Sequence, residues 1–197
     1  MTTPPASPIV APTSEHGPLP LAPIDRPRGL FVRVLYFATR RRYGKTPTAF
    51  RVVYARAPWV GFVSACIAMV LERCLSLETE IRFLLQLSIA MRNGCTFCVD
   101  LTRAEAARQR LGCARFAALL DFEGSPVFSS REKAALAYAE ALQRSLHVDD
   151  EVFARAREHF RERELVEIVW VCAVEQYFNA MALPLRIGSD GLSEGGG

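Results

Sequence analysis

The chain has 197 residues, half of them hydrophobic, with 24 basic and 21 acidic side chains and a formal charge of +3. That supports one buried core with extensions, and a second domain is not expected. The charges are scattered, with Arg40-Arg41-Arg42 the one basic cluster and placed as at a helix C-terminus, so neither nucleic acid nor an anionic membrane is implied as a partner. Residues 1–27 are broken by prolines and lack a charged-then-apolar leader, and the longest uncharged run, 57–71, contains Pro58 and Gly61 and falls short of the roughly 20 residues that span a bilayer. A cytoplasmic protein without a transmembrane helix is expected, and six cysteines there point to reduced thiols rather than a disulfide scaffold.

Residues 1–28 hold eight of the twelve prolines and are predicted to be a disordered tail. Leu30, Phe31, Val34, Leu35 and Phe37 recur at helical spacing up to Tyr43, where Gly44 stops the helix. A short helix follows from Thr46-Pro47 to Arg56, and Pro58 opens a third over 59–75. Ser76 reads as the N-cap of a helix over 77–92, apolar nearly all round and so buried on most sides. Asn93-Gly94 suits a left-handed stop that delivers the chain to Cys95.

A helix from Cys95 to about Leu111 comes next, then a shorter one over 114–121 and a loop over 122–129. Ser129 and Glu132 match a capping box for a helix to Arg144, and Asp149 can cap the next, whose face carries Val152, Phe153, Ala156 and Phe160. The last long segment, 163–183, is strongly apolar but interrupted by Glu167 and Glu175. These two carboxylates read as buried partners of an arginine or as subunit contacts, with a paired carboxylate site as the other reading. The pattern is all-α with seven to nine helices: a helical domain over 29–188 and a flexible Gly-rich tail over 189–197. Helices on both sides of the cysteine pair exclude the thioredoxin fold.

The chemistry concentrates in Cys95-Thr96-Phe97-Cys98. At i and i+3 on a first helical turn, two sulfurs come within disulfide reach, and the helix N-terminus favours a thiolate. A structural zinc site would need a second close pair of Cys or His, which the sequence lacks, and two inert packed cysteines are the remaining alternative. In the redox reading one thiolate attacks a peroxide or disulfide and the other resolves the product. Asp100 would oppose thiolate formation, Arg92 and Arg103 would favour it, and Thr102 shares the face of Cys98 and can hydrogen-bond its sulfur. Cys66, Cys74 and Cys172 read as core residues, and His147 and His159 as surface or structural ones. No phosphate-binding loop or dinucleotide fingerprint is present, and no cofactor is called for.

The run 81–98, an apolar helix ending in Arg92-Asn93-Gly94 and then Cys95-Thr96-Phe97-Cys98, resembles the carboxymuconolactone decarboxylase family in its AhpD-like alkylhydroperoxidase branch. The segments 43–47, 130–140, 163–169 and 177–179 extend the resemblance over roughly residues 43–188. It implies an AhpD-like helical fold assembled as a homo-oligomer, a trimer or hexamer, that reduces peroxides with a thiol reductant. Carried onto this chain, Cys98 attacks and Cys95 resolves. Two relay residues of the family pattern are missing: its His, four residues after the second cysteine, is Thr102 here, and its Glu, twelve before the first, is Phe83. Glu80, one turn earlier, is the candidate substitute. The alternatives are a disulfide oxidoreductase, a non-catalytic or redox-sensing assembly that has lost the relay and, further off, a decarboxylase-type lyase.

Overall fold

The computed structural model describes residues 17–111 and 113–194. The apolar stretch after Leu77 forms α3 (Thr79–Arg92), which is buried at every position from 81 to 90. A helix apolar on all sides needs neighbours on all sides. They are α4 (Thr96–Arg108), α5 (Ser130–Ser145) and α7 (Glu162–Ala182), with a 3₁₀ segment (Cys113–Asp121) beside them. α6 (Asp150–Arg157) closes the α5 side. α1 (Leu30–Tyr43), a π-helical segment (Phe50–Tyr54) and α2 (Pro58–Arg73) pack over the cysteine end, where Gly61 lets α2 approach Tyr54: a Cβ there would lie 3.0 Å from that of Tyr54. No strand occurs among the described residues, and the all-α expectation is met.

Local signals located most boundaries. Ser129 Oγ accepts from the Glu132 N–H while the Glu132 carboxylate accepts from that of Ser129, the reciprocal cap expected of the motif. Ser76, in contrast, does not cap α3; its N–H and hydroxyl, with the Leu77 N–H, donate to Glu167 on α7. Glu167 is also paired with Arg163 at 2.9 Å, an arginine partner as expected, but one whose own side chain is exposed rather than buried. Of the three other cysteines with described surroundings, Cys172 is buried and Cys66 half-buried, but Cys74 is exposed because α2 ends there.

Both predicted tails are partly built into the fold. Residues 1–16 lie outside the described residues, but 17–28 run along the domain: the Ile24 N–H donates to Arg51 O, Tyr36 and Arg56 donate to the carbonyls of Ile24 and Ala22, and Asp25 pairs with Arg51. Proline-rich chain makes few hydrogen bonds with itself, and here groups of the helical domain supply them.

At the other end, Asp100 on α4 accepts from the hydroxyls of Ser189 and Ser193 and from the N–H groups of Asp190, Leu192 and Ser193. Burial raises its pKa, but these hydrogen bonds outweigh burial and hold it below the ordinary carboxylate value. A depressed carboxylate contributes stability above its unfolded pKa and loses it as pH falls through the folded one. The 189–193 strap is therefore expected to hold at neutral pH and release in strong acid. Asp100→Ala should destabilise the protein by about 2–4 kcal/mol in denaturant titration and expose the strap to proteolysis.

Candidate functional site

α3 terminates at Asn93, and Gly94 adopts φ +69°, a left-handed conformation that L side chains rarely adopt. This turn lets the Cys95 N–H donate to Ala90 O at 2.9 Å and aims the chain into α4. Space does not limit position 94, since nothing lies within 4 Å of a Cβ built there. Gly94→Ala should thus cost roughly 1 kcal/mol in thermal or denaturant unfolding through backbone conformation alone.

Cys95 is the N-cap of α4, and its sulfur accepts from the Cys98 N–H at 3.3 Å. The two cysteines are joined as a disulfide, with Cα atoms 5.3 Å apart, inside the range such a bond requires. Their surroundings differ. Cys95 is 0 % exposed, whereas Cys98 is 4 % exposed and lies on the wall of a cavity of about 440 Å³ that Cys95 does not line.

The cavity lies between α1, the π-helical segment and α2 on one side and α3, α4 and α7 on the other. Its wall is mainly apolar, with Val53, Ala65, Phe83, Leu101, Phe178 and Met181 among its residues. Three carboxylates line it. Glu105 accepts from Arg42 Nε at 2.7 Å and from the Tyr43 hydroxyl at 2.5 Å. Burial raises its pKa, but those bonds bring it below the ordinary value. Glu72 pairs with the same Arg42 at 2.8 Å.

Glu175 differs from both, because no cation among the described residues pairs with it. Its oxygens accept from Asn179 Nδ2 at 2.7 Å and Gln86 Nε2 at 3.2 Å. At 2 % exposure, burial pushes its pKa up to about 7, against the partial relief of those two hydrogen bonds. Gln86 in turn accepts from Arg82 Nη1 at 3.3 Å, and Asn179 accepts from Asn93, the residue that ends α3 before the cysteine turn. A buried polar chain thus runs from the cavity to the segment that positions the disulfide.

Several residues singled out in the sequence fall elsewhere. Thr102 and Phe83 line the cavity with Cys98, but the Thr102 hydroxyl bonds to no described group, the sulfur of Cys98 included. Glu80 is ion-paired with Arg115 and is not on the cavity wall, so the structure does not bring it to the cysteines. Arg92 pairs with Glu140 at 3.0 Å, and Asp100 is occupied by the C-terminal strap. His147 is exposed, and neither it nor His159 lines the cavity. The Cys172 thiol is pushed up to about 12 by burial and by Glu175 beside it, which makes it inert as a nucleophile.

The chain resembles known proteins in sequence and in fold. The chain is 30% identical over 163 residues to the uncharacterized protein YnjA of Escherichia coli, an alignment covering 80% of this chain and 89% of YnjA. A solved structure from Agrobacterium tumefaciens, of unknown function but linked by its description to antioxidant defence as AhpD, superposes with a TM-score of 0.65 at 25% identity, over 71% of this chain and 97% of that one. The chain belongs to the AhpD-like branch of the carboxymuconolactone decarboxylase family. An uncharacterized peroxidase-related protein from Silicibacter shares the AhpD-like fold over 93% of this chain and 97% of its own, with a TM-score of 0.79 at 16% identity. No family model matches the chain. Within this AhpD-like protein, Gln86, Glu175 and Asn179 join the site through packing of α3 against α7. In the sequence Glu175 stands out as a polar residue interrupting an apolar helix and Asn179 as part of the 177–179 segment, while Gln86 gives no sign of its role.

α7 and the turn after it, Glu162–Leu185, form the one segment among the described residues that is long and apolar enough to cross a membrane, with mean hydropathy 1.3. α7 packs on α3 and carries two buried carboxylates, Glu167 and Glu175, both hydrogen-bonded to neighbouring elements.

Proposed function

We propose that the protein is a thiol-dependent peroxidase acting on organic hydroperoxides, with Cys98 as the attacking thiol and Cys95 as the resolving one. The observation that carries this reading is the asymmetry of the pair: Cys98 lines the cavity, and Cys95 lies buried behind it within bonding reach. In the reduced protein the Cys98 thiolate attacks the peroxide, forming S–O as O–O breaks, and the leaving alkoxide takes a proton. The Cys95 thiol then attacks the Cys98 sulfenic acid, which yields the disulfide and water. A dithiol reductant returns two electrons and two protons to the pair.

Phe83 and Thr102 cannot carry the proton. Glu175 is the cavity carboxyl suited to it, because Glu105 is held below the ordinary carboxylate value and Glu72 is ion-paired with Arg42, whereas a group at about 7 is populated in both forms at neutral pH. The missing family relay also favours a second reading, a redox sensor whose pair oxidises without turnover. We further assign the protein to the cytoplasm as a trimer or hexamer. The exposed apolar residues of α1 and α2, Leu30, Val34, Phe37, Trp59 and Phe62, offer a surface for a second copy.

Consumption of cumene hydroperoxide in the presence of a dithiol tests the enzymatic reading. Multiple turnovers by the native protein are expected, abolished in Cys98→Ser and reduced in Cys95→Ser to the rate at which the dithiol itself attacks the sulfenic acid. Equal consumption by all three refutes it, and a single turnover by the native protein selects the sensor.

A further inference from the structure

The polar group in the cavity for which the proposed reaction has no use is Arg82. Its residue is 6 % exposed, and it lies on the cavity wall. A guanidinium carries five N–H donors. In Arg82 one bond to Gln86 is made, and the group stacks over the Phe83 ring at 4.1 Å from its centroid. Among the described residues, no carboxylate lies within ion-pair distance of it. Glu72 and Glu105 bias it from further off, but both are bonded to Arg42. Every other buried or half-buried arginine on this wall is paired: Arg42 with those two glutamates, while Arg73 is exposed at the rim. Burying an unpaired charge is unfavourable, and free donors at a cavity call for an acceptor supplied from outside.

The position of Arg82 says which part of a ligand it meets. Its electrostatic neighbour on α4 is Glu105, seven residues beyond Cys98, roughly 10 Å along the helix axis at 1.5 Å per residue. The cation therefore belongs to the end of the cavity remote from the sulfur. It is placed to hold a distant group of the ligand, with apolar wall between.

We infer that the cavity binds an amphipathic organic acid, its carboxylate on Arg82 and its apolar body along the wall toward Cys98. Resting on the peroxidase reading, this makes the substrate a hydroperoxide that bears a carboxylate about two helical turns from the peroxide group. Planar carboxylates suit a guanidinium fork, and the volume of about 440 Å³ fits a small organic ligand.

Binding to the oxidised, full-length protein separates this inference from the reaction. In calorimetric titration, decanoate is expected to bind and its uncharged methyl ester to bind at least 10-fold more weakly. Arg82→Met, which keeps the stem and removes the charge, should weaken decanoate at least 10-fold and leave the ester unchanged. Arg82→Lys, which keeps a charge without the fork, should retain a preference for the acid, and this serves if the methionine variant does not fold. Equal affinity for acid and ester, no binding of decanoate to the native protein, or decanoate affinity unchanged in Arg82→Met overturns the inference whether or not peroxides are turned over. Among hydroperoxides that are turned over, Arg82→Met should raise KM for carboxylated ones relative to the KM for cumene hydroperoxide.

Discussion

Reduced Cys95→Ser protein mixed with one equivalent of an organic hydroperoxide is expected to gain one oxygen at Cys98 and stop there, while Cys98→Ser gains none at Cys95. Cys98 reaches the cavity and Cys95 does not, so only Cys98 can meet the peroxide. Without Cys95, no other cysteine with described surroundings is placed to condense with the sulfenic acid. Cys66, Cys74 and Cys172 do not line this cavity, and burial keeps the Cys172 thiol protonated. Turnover with a dithiol should fall to background in Cys98→Ser. In Cys95→Ser it should fall to whatever rate the dithiol itself attacks the sulfenic acid. Mass mapping of a sulfenic-acid trap on the two cysteines distinguishes the outcomes, and a trap found on Cys95 would reverse the assignment.

Glu175→Gln is expected to remove both a pH dependence of stability and most of the rate. The Glu175 carboxyl stands at about 7 in the fold against an ordinary 4.5, because burial penalises its charge. A group raised on folding contributes its full stability below the unfolded pKa and loses it as pH rises through the folded one. The gap amounts to roughly 3 kcal/mol, and the loss should fall mainly between pH 5 and 8. Denaturant unfolding across that range should show the decline in the native protein and a flatter curve in Glu175→Gln. An amide cannot relay the proton, so kcat/KM should drop about 10²- to 10⁴-fold, together with loss of the pH-rate limb near 7. A native limb that persists in Glu175→Gln would assign the proton to another group.

The parts legible in the sequence were those encoded within a few residues. Ser129 and Glu132 specify their cap by spacing alone, and Gly94 with the C-x-x-C specifies where α4 starts. The relative burial of the two cysteines was not readable, because it depends on α1 and α2 closing over the pair from some thirty residues away or more. Ser76 misled because Glu167, about ninety residues later, competes for its hydroxyl.

Glu80 is one helical turn from Phe83, which makes it the sequence candidate to replace the missing relay. Arg115 claims it instead. Glu175 was seen as a carboxylate needing a partner, but an arginine was expected where the fold supplies Gln86 and Asn179. Complete burial raises this carboxyl against the partial relief of its two hydrogen bonds, whereas at Glu167 the Ser76 N–H, Arg163, the Leu77 N–H and the Ser76 hydroxyl together outweigh burial and lower it.

The most direct measurement mixes the fully reduced native protein with one equivalent of organic hydroperoxide and counts thiols, alcohol and disulfide. The expected result is two thiols lost per peroxide, one alcohol formed, and a Cys95–Cys98 disulfide found by mass mapping. Peroxide left unconsumed with both thiols intact would contradict the account.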